Sequence, residues 1–137
     1  MAELALVLPF IAFFVFGVID LGRAYPLKSR LTNMAREGAN YAQFNSGRIN
    51  CTTGADITKV AKAEDIGVTP ATVTVQWLNS SGVAVTPPVC GDPATPGYMV
   101  RVNVSTPMTL ITPIVGKVTG NPVIINGYEQ VVVQGGG

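Results

Sequence analysis

Leu4–Ile19 reads LALVLPFIAFFVFGVI, sixteen residues without a charge, bounded by Glu3 before it and by Asp20 and Arg23 after it. From Arg23 to Asn45 the pattern changes. Ala24, Leu27, Leu31, Met34 or Ala35, Gly38 and Ala42 recur at i, i+3, i+4 and i+7, while Lys28, Arg30, Asn33, Arg36, Glu37 and Asn40 take the other positions. That is the spacing of an amphipathic helix. The expectation is one long helix, apolar on every side over residues 1–22 and amphipathic over 23–45. At its far end it carries a β-rich head over 46–137.

At ~1.5 Å rise per residue, Met1 to Arg23 can span the roughly 30 Å of a hydrocarbon core. A cleaved signal peptide calls for a basic start and a small-x-small exit, whereas this chain starts Met1-Ala2-Glu3 and leaves the run through Asp20-Leu21-Gly22-Arg23. A buried core helix has to hide Phe10, Phe13, Phe14 and Phe16, which cover several faces. The basic residues Arg23, Lys28, Arg30 and Arg36 all follow the run, which on the positive-inside rule keeps the head in the cytoplasm. A Val/Thr-rich head with two well-separated cysteines instead suits export. A basic leader, cut off after insertion, reconciles the two.

Composition narrows the function classes. The chain has 137 residues, 47% hydrophobic and 12% charged, with a net charge of +1 and a mean hydropathy of +0.38. So small a charge gives no electrostatic case for nucleic acid. Without histidine, the commonest general base and metal ligand is missing. No catalytic constellation, metal-ligand spacing or cofactor motif is present, so an enzyme is the least favoured class. Asn50-Cys51-Thr52, Asn79-Ser80-Ser81 and Asn103-Val104-Ser105 match the glycosylation pattern, which is too short and common to carry a role.

Within the apolar run, Pro9 removes a backbone hydrogen bond and can kink the helix. Gly17 and Gly22 permit close approach of helix backbones. Pro26 is placed to bend or loosen the helix where apolar stalk gives way to head. Asp20 and Arg23, three apart, can pair on one helix. Between packed subunits they can also set register. A carboxylate at the rim of an apolar helix usually has a partner, and the nearest candidate for Glu3 is an α-amino group, its own or a neighbour's; a Glu3 solvated at the membrane surface is the other reading.

In the head, Asp56–Asp65 reads as a short helix with Ile57, Val60 and Ala61 on one side. Thr72–Leu78 alternates Val73, Val75 and Trp77 against Thr72, Thr74 and Gln76. Asn79–Gly82 turns it into a strand over Val83–Thr86. Tyr98–Val104 points Tyr98, Val100, Val102 and Val104 inward and Arg101 and Asn103 outward. Met108–Val118 reads as a surface loop or short helix. Ile124–Val133 is the last strand, bulged near Gly127. The expected class is α+β: four antiparallel strands, one face covered by the long helix. Such a head is small for a free-standing core. A Cys51–Cys90 disulfide would stabilise it by roughly 3–4 kcal/mol on the chain-entropy estimate, with two buried thiols as the other reading.

Glu3 followed by LALVLP, then GVIDLGRAY, then LTNMAREGANYA resembles the TadE-like family of the tight-adherence secretion systems, pilins or pseudopilins related to type IV pilins. The likeness covers about residues 3–42. A fainter one lies in YMVRVNVSTPMTLITPIVG, similar to the family's strand followed by a Pro-flanked apolar segment. The resemblance implies a lollipop-like, type IV pilin-like fold. It also implies a prepilin inserted in the inner membrane, cut by a prepilin peptidase, handed to assembly machinery, and polymerised into an extracellular helical filament at the cell surface. By motif Glu3 matches the family glutamate that engages a neighbour's N-terminal amine, although it stands third rather than fifth. Assembly residues are then Glu3, Pro9, Gly17, Asp20, Gly22 and Arg23. Two other roles stay open: a minor pseudopilin that primes or tips a filament of another subunit, and a membrane-anchored binding module that never polymerises.

Overall fold

The computed structural model describes residues 2–45, 54–64, 67, 70–86, 97–112, 116–117 and 120–133. Helix α1 runs over Ala2–Asn45 and is continuous through Pro9 and Pro26. Neither proline can donate a backbone hydrogen bond. The carbonyl left without a donor below Pro26 belongs to Gly22, four residues back. At the far end, Asn45 Nδ2 donates to the Tyr41 carbonyl one turn back at 2.9 Å.

The head consists of α2 (Gly54–Ala63), β1 (Thr72–Leu78), β2 (Ala84–Val85), β3 (Met99–Met108) and β4 (Val123–Val132). The strands form one sheet in the order β2-β1-β3-β4, and every neighbouring pair is antiparallel. The β1–β2 turn is shaped by Asn79. Its Oδ1 accepts the Ser81 and Val83 amides at 3.0 and 2.9 Å, and Gly82 takes a φ of 77° that only glycine adopts without strain.

Side chains alternate across the sheet as the period of 2 requires. Val100, Val102 and Val104 are fully buried, with Trp77 beside them. The covering layer is the amphipathic half of α1, where Leu31, Met34, Ala35, Ala39 and Ala42 are buried against the same cluster. Helix α2 closes the side with Ile57 and Ala61. Gly38 makes this three-way junction tight, since a Cβ there would lie 3.1 Å from Ala61 Cβ and 3.4 Å from Val102 Cγ1. The result is the expected α+β, lollipop-like architecture: an apolar stalk continuing into a helix that packs on a four-stranded antiparallel sheet.

Two expectations change. No bulge interrupts β4 at Gly127, because the β3–β4 register is constant from Met99↔Val132 through Val104↔Gly127 to Met108↔Val123. Gly127 is there because β4 crosses α1 at that point. A Cβ on it would sit 2.5 Å from the Leu31 carbonyl carbon, 2.8 Å from its oxygen, and against the Thr32 amide. Close backbone approach is the other reason for glycine in a strand. The second change concerns Met108–Val118. Strand β3 extends through Met108, and Thr112 is buried rather than on the surface. Cys51 and Cys90 lie outside the described residues.

Candidate functional site

The helix stripe that faces the head does not begin at Ala24. Counting back four residues reaches Asp20, which is in phase with Ala24, Leu27 and Leu31 and is only 6% exposed. Its carboxylate is bound by the chain that leaves β3. The Ile111 amide donates to Asp20 Oδ1 at 3.0 Å. The Thr112 amide and hydroxyl donate to Oδ2 at 3.0 and 2.7 Å. A buried carboxylate needs several donors to offset lost hydration, and here it has three. Arg23 NH1 stands 3.9 Å away, so the expected Asp20–Arg23 pair exists but is the loosest of these contacts.

This clasp fixes how far down the helix the head reaches. Two further bonds hold the same corner: the Leu110 amide donates to Asn121 Oδ1 at 3.2 Å, and the Gly116 amide to the Thr112 carbonyl at 3.2 Å. Phase is the available clue to Asp20's role. A lone carboxylate on an otherwise apolar stripe calls for donors from whatever packs on it, but the sequence does not name Ile111 and Thr112.

Below the clasp the helix is bare. Val7, Leu8, Phe10, Ile11, Phe13, Phe14, Val15, Phe16, Val18, Ile19 and Leu21 are all exposed, Phe10 and Phe14 at 71%. Among the described residues one helix is long and apolar enough by length and composition to cross a membrane. Pro9 lies within this bare stretch. Gly17 and Gly22 meet nothing: a Cβ on either has no neighbour within 4 Å. They therefore take no part in packing the subunit on itself. For Glu3 the helix places the backbone alone.

Where stalk and head meet, an apolar groove of about 490 Å³ opens between Phe14, Val18 and Leu21 on α1 and Met108, Leu110 and Ile125 on the head, with Gly17 and Asp20 also on its wall. On the face of the sheet away from the helix the surface is polar. Arg101 donates from Nε and Nη2 to Gln130 Oε1 at 3.2 and 2.9 Å. Lys28 and Thr32 of α1, with Asn103 and Tyr128 of the sheet, line a shallow depression that Arg101 also borders, so the helix forms one side of it. Among the described residues no group of three or more His, Cys, Asp or Glu could hold a metal.

Comparison with known proteins agrees with the stalk. Residues 1–40 match the family model described as TadE-like protein. Searches of curated proteins and of solved structures returned no match. Of the matched residues, 2–40 lie in α1, and they include the bare stalk, the clasp residue Asp20 and most of the stripe under the head. Over that segment, and with its long apolar helix, the chain is similar to the TadE-like proteins.

Proposed function

We propose that this chain is a structural subunit of an extracellular type IV pilus-like filament that supports surface attachment, reached through an inner-membrane precursor that is processed and then assembled. One observation carries the reading: an apolar stalk exposed on all sides, continuous with a folded head. Such a surface has to be covered. Lipid covers it in the precursor, and the stalks of other copies replace the lipid in the filament. Apolar burial alone hardly separates those two states, because lipid tails are as apolar as leucine. Selectivity then falls to the features that lipid does not match: Glu3 toward a neighbour's amine, Gly17 and Gly22 for close approach, Pro9 for local helix geometry, and the half-exposed Arg23.

Residues 1–22 act as membrane and filament core, 23–45 as the bed of the head, and 46–137 as the outer surface. The test is electron microscopy and mass spectrometry of filaments sheared from the native cells. Filaments in which this chain predominates support the proposal. Trace amounts at filament ends would make it a minor pseudopilin, and recovery in the membrane alone would make it an anchored module.

A further inference from the structure

The polar face of the sheet carries a depression that the stalk does not need. Two neighbouring cross-strand rows build it: Gln76–Arg101–Gln130, and beside that Thr74–Asn103–Tyr128. The flank of α1 at Lys28 closes one side, and the space measures about 620 Å³. That lies within the ~300–1,000 Å³ usual for ligand sites. Its shallowness suits an extended polymer lying across the surface better than a small molecule enclosed by it.

Charge is one-sided there. Among the described residues Lys28 and Arg101 line the depression and no carboxylate does. Glu129, the only acid of β4, pairs in register with Val102, which is buried under the helix, so it belongs to the opposite face. A net charge of +1 conceals this local separation. Arg101 is held by a neutral group. Gln130 Oε1 accepts from its Nε and Nη2, while Gln130 Nε2 is itself fixed on Met99 Sδ at 2.9 Å. The guanidinium is thereby oriented without being neutralised, and among the described residues the Nη1 side of its fork is open.

The rest of the lining selects the kind of anion. The amides of Gln76, Asn103 and Asn126 each offer donor and acceptor, as partners for hydroxyl groups must. Tyr128 is 68% exposed and presents an apolar ring with a polar tip. It lies diagonally across from Arg101, at the ~7–8 Å spacing of such neighbours, so a sugar resting on the ring can turn an acid group to the guanidinium. Among the described residues no Val, Leu, Ile or Met lines the depression, unlike the apolar centre of a protein interface. Lys28 and Arg101 alone are too few for nucleic acid, since a duplex carries a charge every ~1.7 Å.

We propose that this face binds an acidic polysaccharide, with one uronic acid residue stacked on Tyr128, its carboxylate on Arg101, and a neighbouring acid group on Lys28. This gives the surface-attachment role a chemical target and rests on that reading for its setting, while binding itself needs no filament.

The test is calorimetric titration of the full chain in detergent micelles with an oligogalacturonate, its methyl ester, and an oligodeoxythymidylate of equal charge. The acid form is expected to bind and the ester to fail. Arg101→Gln should weaken binding about tenfold and Tyr128→Ala about fivefold. Lys59→Gln, at an exposed position of α2, should leave it unchanged. Tyr128→Ala, a change at an exposed side chain, decides the matter should Arg101→Gln unfold the head. No binding of the acid form, equal binding of the ester, or tighter binding of the oligodeoxythymidylate would each overturn the proposal. An equal loss in Lys59→Gln would overturn it too, by showing charge attraction without a site. Lost binding in a chain that still forms filaments would sink this site alone, and binding by a chain that forms none would sink only the filament reading.

Discussion

Asp20 and Thr112 are 92 residues apart in sequence, yet the Thr112 amide and hydroxyl both donate to one oxygen of the Asp20 carboxylate, at 3.0 and 2.7 Å. The sheet packs on the helix through apolar contact higher up, where sliding by a fraction of a turn would cost packing but strand no charge. At Asp20 the same slide would leave a buried carboxylate without donors. The clasp therefore sets the axial position of the head.

Asp20→Asn keeps the shape but replaces one acceptor oxygen with a donor. Amide exchange at Ile111 and Thr112 should rise, on the order of tenfold. Exchange at Val100, Val102 and Val104, in the centre of the sheet, should stay as it is. Hydrogen exchange with residue-level resolution checks this, and uniform acceleration throughout the head would mean that Asp20 holds more than the clasp.

Gly127→Ala and Gly38→Ala should part company. At Gly127 the added methyl meets the backbone of Leu31 and Thr32, which cannot move without shifting the helix, so a loss of about 1–3 kcal/mol is expected. At Gly38 the neighbours are side-chain atoms at 3.1 to 3.4 Å. The helix also gains up to ~1 kcal/mol by replacing glycine with alanine, which leaves that variant near neutral. Thermal unfolding of the two proteins decides it.

Stability and assembly should separate along the helix. Leu31, fully buried in the core, should cost about 2–5 kcal/mol on change to alanine. Phe14→Ala and Gly17→Leu should leave head unfolding unchanged, since Phe14 is exposed and Gly17 meets nothing within the subunit. Both should cut the yield of filaments. Wild-type yield from Gly17→Leu would remove Gly17 from the packing of stalks.

Glu3→Ala should likewise leave the head folded and lower filament yield. Normal filaments from that variant would sink the pairing of Glu3 with a neighbour's amine.

If Cys51 and Cys90 are bonded, a non-reduced digest analysed by mass spectrometry will show one linked peptide pair. Reduction should then lower head stability by roughly 3–4 kcal/mol. Free thiols on both residues in material taken from native cells would rule the bond out.

Much of this architecture is legible before any coordinates, and particular residues show why. Leu31, Met34, Ala35 and Ala42 announce the helix face because their spacing is local and follows from 3.6 residues per turn. Val73, Val75 and Trp77, and Val100, Val102 and Val104, announce strands because alternation is local too. Gly127 is harder: a glycine inside a strand signals either a bulge or a close approach, and only the position of α1 chooses between them. Asp20 is harder still. Its nearest charge in sequence is Arg23, which suggests a simple surface pair. Its principal partners arrive from the end of β3, on the far side of the chain.

Local periodicity, composition and the uncharged run thus settle the elements of this protein and the kind of surface its stalk presents, because these depend only on neighbours along one helix or strand. The depth at which the head sits, the groove beneath it and the reason for Gly127 depend on where separate elements meet. Those contacts are long-range, and they are decided by mutual packing of whole faces and by the need of one buried carboxylate for three donors.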